Sequence, residues 1–177
     1  MKQDAKRNPE TKKIVVIYAD DKKGLLGHIL MFFNRRDVMI GDINVAKTDI
    51  QDLVLITMEV QLHDGDHYIL NKLRNIIEVH HVHVYSAHEV ELNKIAFFKL
   101  KNECLKTDIW VRLQKYGLVI TEMLDDVFVV QKTGPEHDLD ELYRQLDGVY
   151  LVGYCKSALV VPHSIRAVDL LLQQEIV

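Results

Sequence analysis

Cysteine is scarce in this chain. Cys104 and Cys155 are the only two in 177 residues, and they form no Cys-x-x-Cys pair. That spacing argues against a disulfide framework and a structural zinc site, and both side chains are expected to be small buried hydrophobes. Proline and glycine are also few, at 3 and 8, while 48% of residues are apolar and 27% charged. Such a composition is globular, sized for one compact domain or two small ones with real cores. An excess of positive charge is missing too: 22 Lys and Arg stand against 26 Asp and Glu, a net charge of −4. No basic footprint for phosphate or anionic lipid follows, so neither a nucleic-acid nor a membrane partner is expected. No apolar run approaches a membrane span, and Met1 to Lys13 is charged throughout with no signal-peptide core. A cytoplasmic location is the expectation. The chain is too short for a large cofactor-dependent enzyme, and no cofactor is expected.

What is present is a pattern that occurs twice. Ile14–Ala19 is β-branched and reads as a buried strand. Leu25, Leu26, Ile29, Leu30 and Phe33 follow a helical period and stop near Asn34–Asp37. Ile40–Ala46 and Leu53–Val60 read as strands about a turn at Thr48–Asp52. Ile69, Leu70, Leu73 and Ile77 predict a second helix, and Val79–Tyr85 alternates as a closing strand. The order βαββαβ then recurs. Ile95–Leu100 is strand-like, and Ile109, Trp110, Leu113 and Tyr116 form a helix stopped by Gly117. Leu118–Met123 and Val127–Gln131 make a hairpin around Asp125–Asp126. Pro135 suits the first turn of a helix carrying Leu139, Leu142, Tyr143 and Leu146, and Tyr150–Val161 closes the unit.

The fold class is therefore α+β, with two tandem ferredoxin-like βαββαβ domains. The expected organisation is a flexible tail over 1–13, a first domain over 14–87, a second over 88–163 and an amphipathic helix over 164–177. That last stretch carries Ile165, Val168, Leu171, Leu172 and Ile176 as one stripe, expected to pack on the protein's own body. Four-stranded sheets with helices on one face leave their edges exposed, which predicts a homodimer through the first unit.

The chemically suggestive stretch is Asp20-Asp21-Lys22-Lys23-Gly24-Leu25-Leu26-Gly27-His28, between the first strand and helix. A helix start offers free N–H groups and a positive dipole end to a carboxylate. Asp21 is able to pair with an ammonium, and Gly24 and Gly27 allow close approach. Together they suit the zwitterionic head of a free amino acid. The competing and commoner reading is that Asp20 or Asp21 simply caps the helix.

The run from Ile14 through Asp20-Asp21-Lys22-Lys23-Gly24-Leu25-Leu26 resembles the opening of an ACT domain, a small amino-acid-sensing βαββαβ module. Continued through Ile29–Phe33, Arg36, Ile40 and Val45-Ala46-Lys47-Thr48-Asp49, the pattern resembles the small regulatory subunit of acetohydroxyacid (acetolactate) synthase. In the second half, Ile95–Lys99 and Val130-Gln131-Lys132-Thr133-Gly134, leading into Asp138-Leu139-Asp140, are similar to that family's C-terminal domain. The resemblance covers about residues 14–161. It implies a non-catalytic chain that binds and activates a thiamine-diphosphate-dependent large subunit. It further implies feedback inhibition by a branched-chain amino acid, usually valine, held between two ACT domains. By that resemblance the effector contacts are Asp21, Gly24, Leu25 and Leu26 from one copy, and Val38, Met39 and Ile40 from the other. The chain departs from the family there. Asp21 stands where Asn is usual, and Asp37-Val38-Met39 replaces Gly-Tyr-Asn, so Met39 offers apolar packing in place of a donor and acceptor. Lys22 and Lys23 make the turn more basic, and Leu92-Asn93-Lys94 replaces an acidic–Arg–acidic stretch. Weak or absent valine binding is the expectation.

Nine histidines invite a metal, most of all at His80-His81-Val82-His83, where His81 and His83 share one strand face. No third ligand is spaced to match, and the His63-Asp64-Gly65-Asp66-His67 turn is as weak a signal, so no metal is expected. Gly-x-Ser-x-Gly, Gly-rich phosphate loops and His-Glu-x-x-His are absent, which leaves no enzymatic motif. The same topology serves RNA-recognition domains, but Leu53-Val54-Leu55-Ile56-Thr57 occupies the place of their aromatic strand. The alternative to a synthase regulatory subunit is a free-standing amino-acid sensor, or an adaptor for another biosynthetic enzyme.

Overall fold

A continuous β-branched run, apolar toward both faces, suits β1 (Thr11–Asp20) to an inner place in a four-stranded antiparallel sheet ordered β2-β3-β1-β4. The strand begins three residues before its apolar run, because Thr11–Lys13 pair with Leu62–Val60. The computed structural model describes residues 11–63, 67–90 and 92–158, which fall into two compact units. Of the predicted tail over 1–13, residues 1–10 lie outside the described residues, as does the predicted amphipathic helix over 164–177, while Thr11–Lys13 belong to β1 and are no tail.

In the first unit, α1 (Leu25–Asn34) leads to β2 (Ile40–Lys47), which forms a hairpin with β3 (Leu53–Leu62). Next come α2 (His67–Arg74) and β4 (Val79–Ser86). Val15, Ile17 and Ala19 from β1 meet Ile29 and Phe33 from α1 and Leu70 and Leu73 from α2 in one core. Ile14, Val16, Tyr18, Leu55 and Thr57, on the opposite sheet face, are buried as well. Ile77 does not take the core position that its spacing predicts. The chain tightens after Arg74, with Asn75 N donating to Lys72 O and Ile76 N to Leu73 O. This turns Ile76 inward and leaves Ile77 93% exposed.

The second unit repeats the order: β5 (Asn93–Lys101), α3 (Asp108–Leu113), β6 (Val119–Met123), β7 (Val127–Pro135), α4 (Glu136–Leu146) and β8 (Leu151–Ala158). Its sheet is ordered β6-β7-β5-β8, the same arrangement. The two tandem ferredoxin-like units of the α+β class are thus both present. Ala96, Phe98, Leu100, Phe128 and Val130 of the sheet pack with Leu113, Leu139 and Leu142. Gly117 ends the α3 segment in the left-handed region, at φ 65°, where a side chain would be strained. A 3-10 turn over Asn102–Lys106 precedes α3, closed by the Thr107 hydroxyl donating to Cys104 O at 2.7 Å. Pro135 is not in the first helical turn. It is extended, opposite Asn93 at the end of β7, and α4 begins at Glu136.

An ion cluster fastens α4 to this sheet. Lys94 is almost wholly buried, and its ammonium reaches Glu136 Oε1 at 3.0 Å. Lys156 reaches the same oxygen at 2.8 Å and Asp140 Oδ1 at 2.7 Å. Burial pulls the Lys156 pKa down, but its hydrogen bonds to Asp140 and Glu136 and their charges outweigh this and leave it raised above 10.5. A raised lysine pKa stabilises the fold at every pH below the unfolded value, and that contribution is lost as pH climbs through the folded one.

Cys104 is buried as expected, but Cys155 is exposed, because β8 turns it away from the face that carries Tyr154 and Lys156. Burial raises the Cys104 thiol, with the Thr107 hydroxyl opposing in part. Thiol titration of the native protein at pH 8 is expected to show Cys155 reacting quickly and Cys104 only on unfolding. Equal rates for the two would contradict this packing.

Candidate functional site

β1 delivers the chain to Asp20, and backbone hydrogen bonds then fold the following turn. Asp20 N donates to Glu78 O at 2.9 Å, Asp21 N to Asp52 O at 2.8 Å, and Leu25 N to Lys22 O at 3.1 Å. A hydrogen bond from β4 and an ion pair from the loop before it brace the turn: Asp20 Oδ1 to His80 Nε2, and Lys22 Nζ to Glu78 Oε1, each at 2.6 Å. Hydrogen bonding between Lys22 and Glu78 raises the lysine pKa and lowers that of the glutamate. Of the two lysines that make the turn basic, Lys22 is therefore compensated locally by Glu78.

Neither aspartate caps the helix. Gly24 holds the N-cap position at φ 88° with no side-chain cap, and α1 has no acidic residue in its first turn. His28 N bonds Gly24 O, whereas the N–H groups of Leu26 and Gly27 make no hydrogen bond among the described residues. The positive end of the helix is thus left uncompensated. The Asp21 side chain is exposed and makes no hydrogen bond or ion pair among the described residues. A Cβ on Gly24 or Gly27 meets no atom within 4 Å, so space does not require glycine at either place; the positive φ of Gly24 does. Leu25 is buried in the core, and Leu26 packs against it while partly exposed.

The other predicted contacts lie at the start of β2. Asp37 turns the chain through the left-handed region at φ 56°, which Asp tolerates better than most residues. Val38 is buried and Ile40 packs against the core while partly exposed, but Met39 projects, 62% exposed, with its carbonyl accepting Gln61 N at 2.9 Å. One chain does not bring the two groups together. Asp20 pairs with Leu53 and Ile40 with Val60, so they sit at opposite ends of the sheet. Those partners are seven residues apart on β3, a separation of about 23 Å along the strand.

The histidine strand divides as alternation predicts. His81 and His83 meet edge to face at 4.1 Å between ring centroids, and His83 stacks on Tyr85 at 6.1 Å. His80 faces the other way, to Asp20. Among the described residues, no group of three or more His, Cys, Asp or Glu side chains is arranged to hold a metal ion. No described helix is long and apolar enough to cross a membrane. The two bracing side-chain contacts and the Asp52 tie were not foreseen, since they join residues more than thirty positions apart that only the ladder brings together.

No family model and no curated protein sequence matches the chain. Among solved structures, the acetolactate synthase small subunit of Thermotoga maritima superposes with a TM-score of 0.73 at 17% identity, over 84% of this chain and 94% of that one. The likeness is one of fold. It spans both units. The ligand-free regulatory subunit of aspartate kinase from Thermus thermophilus (TM-score 0.40, 12% identity, 78% and 91% covered) and the protein BT0572 of Bacteroides thetaiotaomicron (0.37, 14%, 81% and 93%) match too weakly to bear on the argument.

Two substitutions separate conformation from space. Gly24→Ala is expected to lower stability by about 1 kcal/mol through left-handed strain. Gly27→Ala, inside α1 with room around it, is expected to raise it by about 0.5 kcal/mol. Urea denaturation of both variants checks the pair; equal effects would mean the turn is not held as described.

Proposed function

We propose that this chain is the non-catalytic regulatory subunit of an acetolactate synthase, and that an amino acid bound between two copies controls it. The observation that carries this reading is the fold match to the Thermotoga maritima small subunit, over 84% of this chain and 94% of that one. The sequence resemblance in the turn after β1, and in Val130–Gly134 ahead of α4, supports it independently of the superposition.

Topology supports a shared site. β2 is an edge strand. Antiparallel pairing of two β2 edges puts the start of one against the far end of its neighbour. That far end is where the neighbour's β1–α1 turn lies. Asp21 then supplies a carboxylate for an ammonium, and the open N–H groups of Leu26 and Gly27 supply donors for a carboxylate. Leu26, Met39 and Ile40 offer an apolar wall for an aliphatic side chain. The effector acts by population shift: the regulatory chain favours an active conformation of the catalytic subunit, and the amino acid removes that bias. The thiamine chemistry stays with the large subunit.

The test is reconstitution. Adding this chain to the matching large subunit is expected to raise the rate of acetolactate formation; an unchanged rate would overturn the proposal. If the rate is unchanged while an amino acid still binds, the chain is a free-standing sensor. Titration calorimetry is expected to show valine binding weakly or not at all, since Met39 cannot hydrogen-bond it as an Asn would. Met39→Asn is expected to strengthen binding about tenfold, the worth of one hydrogen bond. Micromolar valine affinity in the unaltered chain would contradict this.

A further inference from the structure

On the helical side of the first unit, α1 and α2 lie beside one another, and the furrow between them is a groove of about 670 Å³. Its lining is strongly one-signed. Arg35, Arg36 and Lys72 face it beside the His28 ring, and the carboxylate of its one acidic residue, Glu78, is already held by Lys22 at 2.6 Å. Arg35, Arg36 and Lys72 form no ion pair among the described residues. Two of these cations are organised by an aromatic ring: the Arg36 guanidinium lies 5.4 Å and the Lys72 ammonium 5.2 Å from the centroid of Tyr68. A cation–π contact holds a charge in place without neutralising it, so both remain available to an anion at reduced ordering cost.

The groove also presents apolar surface. Phe32 lies beside His28 at 5.2 Å between centroids, half of Tyr68 is in solvent, and Ile77 is almost fully exposed at the rim. An isoleucine put out into water next to uncompensated cations is a poor feature for a bare surface and a good one for a covered surface.

We infer that this groove docks an acidic segment of a partner protein that also carries an apolar side chain to cover Ile77 and Tyr68. The inference rests on the function proposed above, which makes that partner the catalytic subunit. Charge complementarity favours an acidic occupant, and the apolar surface that Phe32, Tyr68 and Ile77 add beside the cations favours a protein segment over a small anion. Pairing of two copies through their β2 edges leaves this helical face open. Carboxylates on the partner meet Arg36 and Lys72, and Ile77 with Phe32 receives the apolar contact.

The experiment uses the full chain and the matching large subunit, with affinity measured by interferometry at low and high salt. The double variant Arg36→Glu/Lys72→Glu is expected to bind at least about tenfold more weakly and to lose most of the salt dependence. The control Lys101→Glu/Lys106→Glu, exposed in the second unit, is expected to bind as the unaltered chain does. Ile77→Asp, at a position that makes no core contact, is expected to weaken binding without lowering the unfolding midpoint. Binding unchanged in the groove variants overturns the proposal while leaving the regulatory reading intact. Failure of the unaltered chain to bind any large subunit overturns that reading and the docking with it. Loss of the homodimer in the double variant, read by light scattering, makes the groove a self-contact and also overturns the proposal.

Discussion

The β1–β3 ladder is the constraint on which the rest of the first unit depends. It runs in unbroken register from Thr11–Leu62 to Asp20–Leu53. Because side chains alternate across a strand, that register decides which of Ile14–Ala19 meet the helices and which meet the other face. It also decides which end of the sheet receives the β1–α1 turn and which receives Met39. A slip of one residue would exchange Ile17 for Val16 in the core and detach Asp20 from His80. The ladder therefore fixes the proposed effector site as well as the core, and it does so by keeping the two halves of that site apart within one chain.

The turn itself shows how a fold keeps polar groups available. An ordinary N-cap from Asp20 or Asp21 would have satisfied the first N–H groups of α1 and used up a carboxylate. Asp20 is instead drawn to His80, Asp21 is held by its backbone to Asp52, and Gly24 enters the helix through a conformation in which no side chain reaches back. The bracing comes from outside the helix, so its N-terminus and the Asp21 carboxylate stay open. Among the described residues this is a hydrogen-bonded turn with unused hydrogen-bonding capacity.

Periodicity and punctuation made both units legible in the sequence. β-branched and alternating runs marked the strands, period-3.6 runs the helices, and Gly117 the end of the α3 segment, because each is a local consequence of burial or of backbone conformation. The misreadings share a cause. Ile77 fits the helical period, but the chain leaves the helix at Arg74 and Ile76 takes the inward place. Pro135 suits a first helical turn, yet the ladder carries β7 through it. Cys155 sits among apolar residues in sequence but on the outward side of its strand. The local pattern says that a residue belongs to a strand or helix; tertiary pairing says where the element stops and which way it faces. The candidate site was legible only in part for the same reason. Asp21 and Gly24 were singled out by local chemistry and Met39 by resemblance, while the side-chain contacts that brace the turn and the cations collected around Tyr68 are products of the assembled sheet and helix layer.

On the proposals made above, α1 carries both functions. Its first turn offers Leu26 and Gly27 to the effector, and the residues at and just beyond its last turn, Arg35 and Arg36, line the groove for the partner. Ten helical residues span about 15 Å, and Ile29 and Phe33 anchor the helix to the sheet between the two ends. A displacement of α1 when an effector enters at its N-terminus therefore moves the groove wall at its C-terminus. No separate relay is needed; one packed helix is common to both equilibria. Thermodynamic linkage then requires reciprocity: by whatever factor the effector weakens partner binding, the partner must weaken effector binding equally. An effector site that had lost its hydrogen-bonding Asn would keep the docking groove and lose only this coupling, leaving an activator without feedback.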